Sequence, residues 1–356
     1  LDYSACIRTV RALADGEEAY VAALDGVADF DAQAYADFLG PNKLLDWVAP
    51  TFDRETVRRR FPPEFLERMA AHRELRVRED AILLAQSHEI RAAFAAQSIP
   101  FLYLKGLYFS VRFYGGIGRR WQRDVDLLVR PAQREAAEAA MLALGYVHEF
   151  GHASETAVRQ GFRRDWAGVD VHWNLRRRAR RHVVEDDLWA APVAFTLGGQ
   201  GFRTLADDYT LTFALLTMIG DLRRGACQAR HFLDLYLMLR TLEANLDWDA
   251  FFERREPQSL LKPCANVLAL LLAVWHVGPE FPRLARAIHK RRRLIDLRDE
   301  AEALEIVQRP RDHAANRLWF QRVYPFDKLA EWARRLSVDL PHTLARLDPS
   351  RTFELP

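Results

Sequence analysis

The sequence predicts an α+β fold, with a small sheet in the middle of the chain and helices on both sides of it. Three observations predict this. Short apolar or alternating runs, each bounded by Gly, Pro or Asp, cluster between positions 101 and 205. Before them, apolar residues recur three and four apart from 64 to 97, and the same spacing returns after 207. The expected division is therefore a helical region over 1–97, a sheet-bearing domain over 98–206 and a helical domain over 207–356. A chain of 356 residues, 49% hydrophobic and 28% charged, is long enough to build two or three domains with a substantial core.

Residues 1–60 mix short helical patterns with breakers; 34–39 is stopped by Gly40-Pro41-Asn42. This region reads as a helical cap or as a lid. Phe61-Pro62-Pro63 opens one or two long helices, carried by Leu66, Met69, Leu75, Ile82, Leu83, Ile90 and Phe94 and ended by Ser98-Ile99-Pro100. A first strand runs to Lys105-Gly106, followed by a short amphipathic helix over 107–114 and a glycine loop over 115–118. A second strand begins at Asp124. Pro131 begins a helix that Gly145 ends, and 146–150 reads as a strand. Residues 158–166 and 169–175 suggest a hairpin turning at Ala167-Gly168; 192–197 and 201–205 suggest another through Gly198-Gly199. Asp207 or Asp208 is expected to cap a helix over 209–219. Further helices follow at 231–240 and 260–277 and onward to about 345, with Trp319, Phe320, Tyr324, Phe326 and Trp332 packing the last of them and 348–356 extended.

Asp124 and Asp126 carry the chemistry. Two residues apart on a strand, they project from one face while Val125 points into the fold. Two carboxylates on one face repel each other unless something neutralises them, and hard divalent cations prefer oxygen ligands. Asp170 and His172 alternate with Val169, Val171 and Trp173, again on one face of a strand. Three carboxylates on neighbouring strands can hold two ions that clamp the attacking and leaving oxygens of an in-line displacement. The arrangement points to phosphoryl or nucleotidyl transfer. Backbone N–H groups after Gly106 are candidates for phosphate oxygens. Lys105 is either a phosphate contact or a surface lysine closing a strand. Arg120 and Arg123 are candidate phosphate ligands, Arg120 alternatively an ion-pair partner of a carboxylate. His172 stands near the metals or nucleotide, or is a buried structural histidine. His148 and His152 read as strand-end residues. Arg176, Arg177, Arg178, Arg180 and Arg181 form a solvated face or a patch that steers an anion.

Lys105-Gly106, Arg120-x-x-x-Asp124-x-Asp126-Leu127-Leu128-Val129 and Val169-Asp170-Val171-His172-Trp173, in this order, resemble the family of uncharacterised bacterial nucleotidyltransferases within the polymerase-beta-type superfamily. The resemblance covers about 75–280 and takes in the helix start at Leu205-Ala206-Asp207-Asp208-Tyr209, Arg230-x-x-x-Asp234 and Leu246-Asp247-Trp248. It implies a small mixed sheet, a carboxylate triad, two Mg²⁺ ions (or Mn²⁺) and a nucleoside triphosphate donor. Asp124 and Asp126 match the paired metal ligands and Asp170 the third carboxylate. The wider superfamily has Gly-Ser on the turn before the paired acids, where this chain, like its branch, has Lys105-Gly106. Arg123 stands where the branch usually carries a small residue.

The composition bounds the rest. A net charge of +2 exerts no global pull toward nucleic acid. Three distant cysteines argue against a disulfide scaffold or a zinc site and suit a reducing cytoplasm. The longest apolar stretch, 267–277, is too short for a bilayer, and the N-terminus shows no signal pattern. The expected partners are a nucleoside triphosphate and a small-molecule or peptide acceptor, as in natural-product tailoring, with no membrane and no nucleic acid. A non-catalytic nucleotide-binding or regulatory module is the alternative, and nucleotidylation of RNA or protein a minor one.

Overall fold

The computed structural model describes residues 3–149, 158–175, 183–224, 226–297 and 299–308, with Trp319 and Val323. His152, the arginine run 176–181, Phe320, Tyr324, Phe326, Trp332 and the tail 348–356 lie outside the described residues.

The architecture is α+β. Strands β1 (Phe101–Tyr103), β2 (Asp124–Val129), β3 (Val147–His148), β4 (Arg159–Arg164), β5 (Ala167–His172), β6 (Val193–Leu197) and β7 (Gln200–Thr204) form one sheet. Their order is β3-β4-β5-β2-β1-β7-β6. The sheet is mixed: β2 runs parallel to β5 and β1 parallel to β7, while the other neighbours are antiparallel. Because β2 is central and both its faces are covered, every residue from Val125 to Val129 is buried, which is why it reads as a nearly unbroken apolar run.

One face of the sheet packs on a single 34-residue helix, Pro63–Ala96, which resolves the choice between one long helix and two. Proline at its start costs no hydrogen bond there. Ser87 Oγ meets the Tyr103 hydroxyl at 3.2 Å and the Phe94 ring meets Phe101 edge-on at 5.6 Å, so this helix covers the face that carries Tyr103, Leu127 and Val129. The opposite face carries the acids and is roofed by the helix Asp207–Arg224, whose Phe213 ring stands 5.7 Å from His172. Helices Ala229–Leu242, Trp248–Arg255 and Leu261–Val274 pack beyond it around one continuous apolar core.

Several local readings change. The first hairpin turns at Asp165-Trp166, not at Ala167-Gly168, because Asp165 adopts the left-handed conformation (φ 57°). Gly168 instead lies in β5 opposite Asp124. The strand expected over 146–150 is only Val147–His148. The helix Leu107–Phe113 is buried on nearly every side rather than amphipathic. Phe195 of β6 packs on its Tyr108 at 4.7 Å, and Arg112 leaves it to pair with Asp207. Asp207 and Asp208 lie inside the helix that begins at Asp207, and Asp208 turns inward to Arg254 and Arg255, each at 3.1 Å. The hairpin through Gly198-Gly199 forms as expected; both glycines have positive φ.

A buried polar network fastens the glycine loop and the approach to β2 onto the long helix. Arg76 donates to Asp80 at 2.8 Å and to the Gln122 carbonyl at 3.0 Å. Asp80 also accepts from the Gly118 N–H at 2.9 Å and from Gln122 Nε2 at 3.0 Å. Burial alone raises the Asp80 carboxyl above its ordinary value, and these donors draw it back only in part. Removing one partner of a buried ion pair leaves a buried charge unsatisfied. Asp80→Ala is therefore expected to cost about 3 kcal/mol and to speed amide exchange at Gly118. A melting temperature and an exchange rate equal to wild type would refute this role.

Candidate active site

The site is set by strand register. In the parallel β2–β5 pair Asp124 lies opposite Gly168, Asp126 opposite Asp170 and Leu128 opposite His172. Paired residues on adjacent strands project to the same side, so Asp124, Asp126, Asp170 and His172 share one face. Asp126, Asp170 and His172 are buried, and each offers an atom within 4.8 Å of the other two, a spacing that could hold a metal ion. Asp124 sits outside this trio, at the strand start, with its side chain 41% exposed. Gly161 of β4 leaves the room that the Asp170 carboxylate occupies; a Cβ there would come within 3.3 Å of Asp170 Oδ1.

Lys105 reaches across from the end of β1. Its Nζ is 3.2 Å from Asp126 Oδ2 and 3.7 Å from Asp124 Oδ2. Burial works against the ammonium, but the two carboxylates outweigh it and raise its pKa, so it stays charged. Burial likewise opposes ionisation of Asp126; Lys105 and the His172 hydrogen bond overcome this and hold the carboxyl well below the usual range. Burial lowers the His172 pKa despite Asp126, so the imidazole is neutral at neutral pH. His172 Nε2 lies 3.1 Å from Asp126 Oδ1. In one tautomer it donates there; in the other it presents a lone pair to a cation. Asp170 pairs with Arg159, which is half exposed.

Gly106 has a φ of 70° and a ψ of −126°, a conformation that side chains disfavour, and a Cβ on it would lie 3.2 Å from the Asp124 carbonyl. The glycine thus lets the Lys105 turn press against β2. Arg123 is exposed beside the acids, and its carbonyl accepts from the Gly168 N–H at 3.2 Å. Arg120, expected either to hold phosphate or to pair with a carboxylate, makes such a pair. It is buried, and its guanidinium forks onto Asp234, with Nε–Oδ1 at 2.7 Å and Nη2–Oδ2 at 2.8 Å. The Tyr114 hydroxyl adds a third bond to Asp234 Oδ1 at 2.6 Å. Lys105, Arg120, Arg230, His231 and Asp234 line a cleft under the helix Asp207–Arg224.

The mixed sheet thus sets a pair of acids on one strand and a third acid on its parallel neighbour. Residues 28–276 match the family described as uncharacterised nucleotidyltransferase, and the chain belongs to that family. Among solved structures it is similar to the solution structure of the antibiotic-resistance factor ANT(2'')-Ia, at 14% identity over 50% of this chain and 91% of that one, with a TM-score of 0.38. It is also similar to the crystal structure of ANT(2'')-Ia in complex with adenylyl-2''-tobramycin, at 14% identity over 50% and 97% of the two chains and a TM-score of 0.36. A third similar structure is an antigenic nucleotidyltransferase-like protein from Paracoccidioides brasiliensis, at 14% identity over 59% and 90%, with a TM-score of 0.34. No curated protein sequence matches the chain. No helix among the described residues is long and apolar enough to cross a membrane.

Sequence reasoning passed over Lys43, Trp121 and Arg159 near this face. No local pattern marks them, whereas the Arg230-x-x-x-Asp234 spacing did flag the helix that supplies Asp234. Burial alone raises the Asp234 carboxyl, but the Arg120 charge and hydrogen bonds outweigh it and hold it at about 2, against an ordinary 3.8. Because the folded value is the lower one, this stabilisation is full above about pH 4 and is lost as pH falls through 2. The shift corresponds to roughly 2 kcal/mol. Asp234→Asn should accordingly lower stability at pH 7, and the gap to wild type should narrow between about pH 4 and pH 2 in denaturant titrations. A gap independent of pH would show that the carboxylate charge is not what holds Arg120.

Proposed function

We propose that this nucleotidyltransferase moves a nucleoside monophosphate from a nucleoside triphosphate to a hydroxyl of a small-molecule or peptide acceptor. The observation that carries the reading is the trio Asp126, Asp170 and His172, buried on adjacent parallel strands with Lys105 beside them. The trio fits a divalent cation. Asp126 Oδ2 is a buried acceptor that receives no hydrogen bond, only the nearby Lys105 charge. Two carboxylates and a neutral imidazole suit Mg²⁺ or Mn²⁺, and the imidazole favours Mn²⁺. When bound, such an ion supplies charge neutralisation at the α-phosphate. Asp124 and Asp126 would hold a second ion, which would leave Lys105 available to phosphate oxygens.

In the proposed reaction the acceptor oxygen attacks the α-phosphorus and forms a new P–O bond. The bond from that phosphorus to the bridging oxygen of the β-phosphate breaks, and pyrophosphate leaves with its electron pair. The hydroxyl proton passes to the Asp170 carboxylate and then to solvent. Arg159 holds Asp170 in place. Such chemistry depends on positioning and on charge neutralisation. The near-neutral net charge supports a small or peptidic acceptor over nucleic acid. The buried cysteines Cys6, Cys227 and Cys264, few and far apart in sequence, support a cytoplasmic setting.

The test is incubation with each of the four triphosphates labelled at the α-phosphate, with Mg²⁺ or Mn²⁺ and acceptor fractions of a cell extract. Label should enter a product as pyrophosphate is released. Asp126→Asn should slow this about a thousandfold with an unchanged circular dichroism spectrum, and Asp170→Asn should lose Mn²⁺ binding seen by electron paramagnetic resonance. Absence of labelled product with every triphosphate and both metals, or a fully active, folded Asp126→Asn, would overturn the proposal.

A further inference from the structure

The cleft beside the acids is lined by Lys105, Arg120 and Arg230, with one carboxylate, Asp234, among its walls. Arg230 stands at the start of the helix Ala229–Leu242. Its side chain is 12% exposed, and its Nη1 donates one long hydrogen bond to Asp234 Oδ2, at 3.4 Å. That carboxylate already takes both arms of Arg120 and the Tyr114 hydroxyl. Arg230 Nε is buried with no acceptor. Its Nη2 lies 3.3 Å from His231 Nε2, but this is not a hydrogen bond. His231 Nδ1 accepts from the Gln228 N–H at 3.1 Å, so the neutral ring carries its proton on Nε2 and gives it to Asp221 at 2.9 Å. Two donors therefore face each other. Burial and then the charge of Arg120 press the Arg230 guanidinium below its ordinary pKa, yet an arginine does not give up its proton. A buried cation with idle donors is costly unless an anion meets it.

Lys43 is brought to the same place from the N-terminal region. The turn Gly40–Lys43 docks on the first residues of the Ala229–Leu242 helix: Asn42 Oδ1 accepts from the Ala229 N–H at 2.9 Å, and the Asn42 carbonyl accepts from the Arg230 N–H at 3.3 Å. Lys43, with φ 55°, then lays its ammonium over the Trp121 ring, 3.5 Å from the centroid. The Arg230 guanidinium lies 5.6 Å from the same centroid. Trp121 is three residues before Asp124. Burial and the Arg230 charge pull Lys43 down to about 8. One indole thus holds two cations that repel each other, next to the acids on β2. Cation–π contacts of this kind are worth only about 1 kcal/mol, so they place the cations without consuming their capacity for an anion.

We propose that Lys43 and Arg230, gathered on Trp121 and joined by Lys105, form the subsite for the β- and γ-phosphates of the triphosphate, and hence for the pyrophosphate that leaves. This assignment rests on the nucleotidyl-transfer reading above. It gives the N-terminal region and the C-terminal helices a shared part in binding the donor: the tail of the triphosphate joins them across the sheet. Guanidinium and ammonium donors to phosphate are charge-assisted and strong.

The experiment is calorimetric titration of the full chain with magnesium pyrophosphate, and separately with nucleoside monophosphate. Wild type should bind one equivalent of pyrophosphate. Lys43→Met and Arg230→Gln should each weaken it about tenfold or more, and Arg230→Lys should weaken it less, while monophosphate affinity changes little. Lys43 is on a partly exposed turn, so its variant tests the idea even if Arg230→Gln does not fold. Wild type that does not bind pyrophosphate overturns the subsite, as do folded variants that bind it as tightly as wild type or that lose monophosphate equally. If wild type transfers nucleotide while the variants keep full pyrophosphate affinity, the subsite falls and the reaction stands. If wild type binds pyrophosphate and the variants do not, but no nucleotide is transferred, the subsite stands and the reaction falls.

Discussion

Asp126 and Asp170 face each other across one rung of a parallel strand pair, and at that spacing two ionised carboxylates repel strongly in a buried setting. The rest of the face answers this repulsion. Lys105 brings a charge to Asp126, Arg159 brings one to Asp170, and His172 brings a neutral donor. Each comes from a different strand or strand end, so the charges that offset the repulsion come together only when the sheet forms. The register also makes the acids inseparable. A slip of one residue in β5 would send Asp170 and His172 to the Tyr103 side, into the apolar cover of the Pro63–Ala96 helix.

Around this centre stand two buried frames built on the same principle. Arg76 and Asp80 hold the approach to β2 from below, and Arg120 and Asp234 hold it from the C-terminal helices. Buried ion pairs add little net stability compared with apolar packing. Their value here is placement. Gln122 hangs from Asp80, Arg120 from Asp234, and Trp121 between them meets Lys43 and Arg230. The segment 119–123 has no regular secondary structure, and these side-chain bonds do for it what a backbone ladder does for a strand.

The parts of this arrangement that were legible in the sequence are those governed by local periodicity. Period-two alternation placed Asp124 with Asp126 and Asp170 with His172, and paired glycines at 198 and 199 placed a hairpin, because strand pleat and turn stereochemistry act over a few residues. The turn at Asp165 escaped notice since Ala167-Gly168 offered a more obvious breaker, whereas that glycine lies inside β5 opposite Asp124. Arg120 could not be assigned from its neighbours: its partner is 114 residues away. Lys43 left no trace at all, being one lysine after a Gly-Pro-Asn breaker whose asparagine caps a helix 187 residues further on.

Arg230 and Asp234 show how far a local rule can mislead. Four residues apart on one helix, they look like a self-contained ion pair. A carboxylate has room for one guanidinium fork, however, and Arg120 takes it in the better geometry, at 2.7 and 2.8 Å against 3.4 Å. The helix then supplies the cleft with more than a closed pair: Asp234 gives its better geometry to Arg120, and Arg230 keeps one long bond to it with Nε left without an acceptor. An arginine that loses a contest for its own helical partner, and is buried all the same, makes sense where an anion completes its coordination. A triphosphate is an anion of the right kind, with several oxygens to share among Arg230, Lys43 and Lys105.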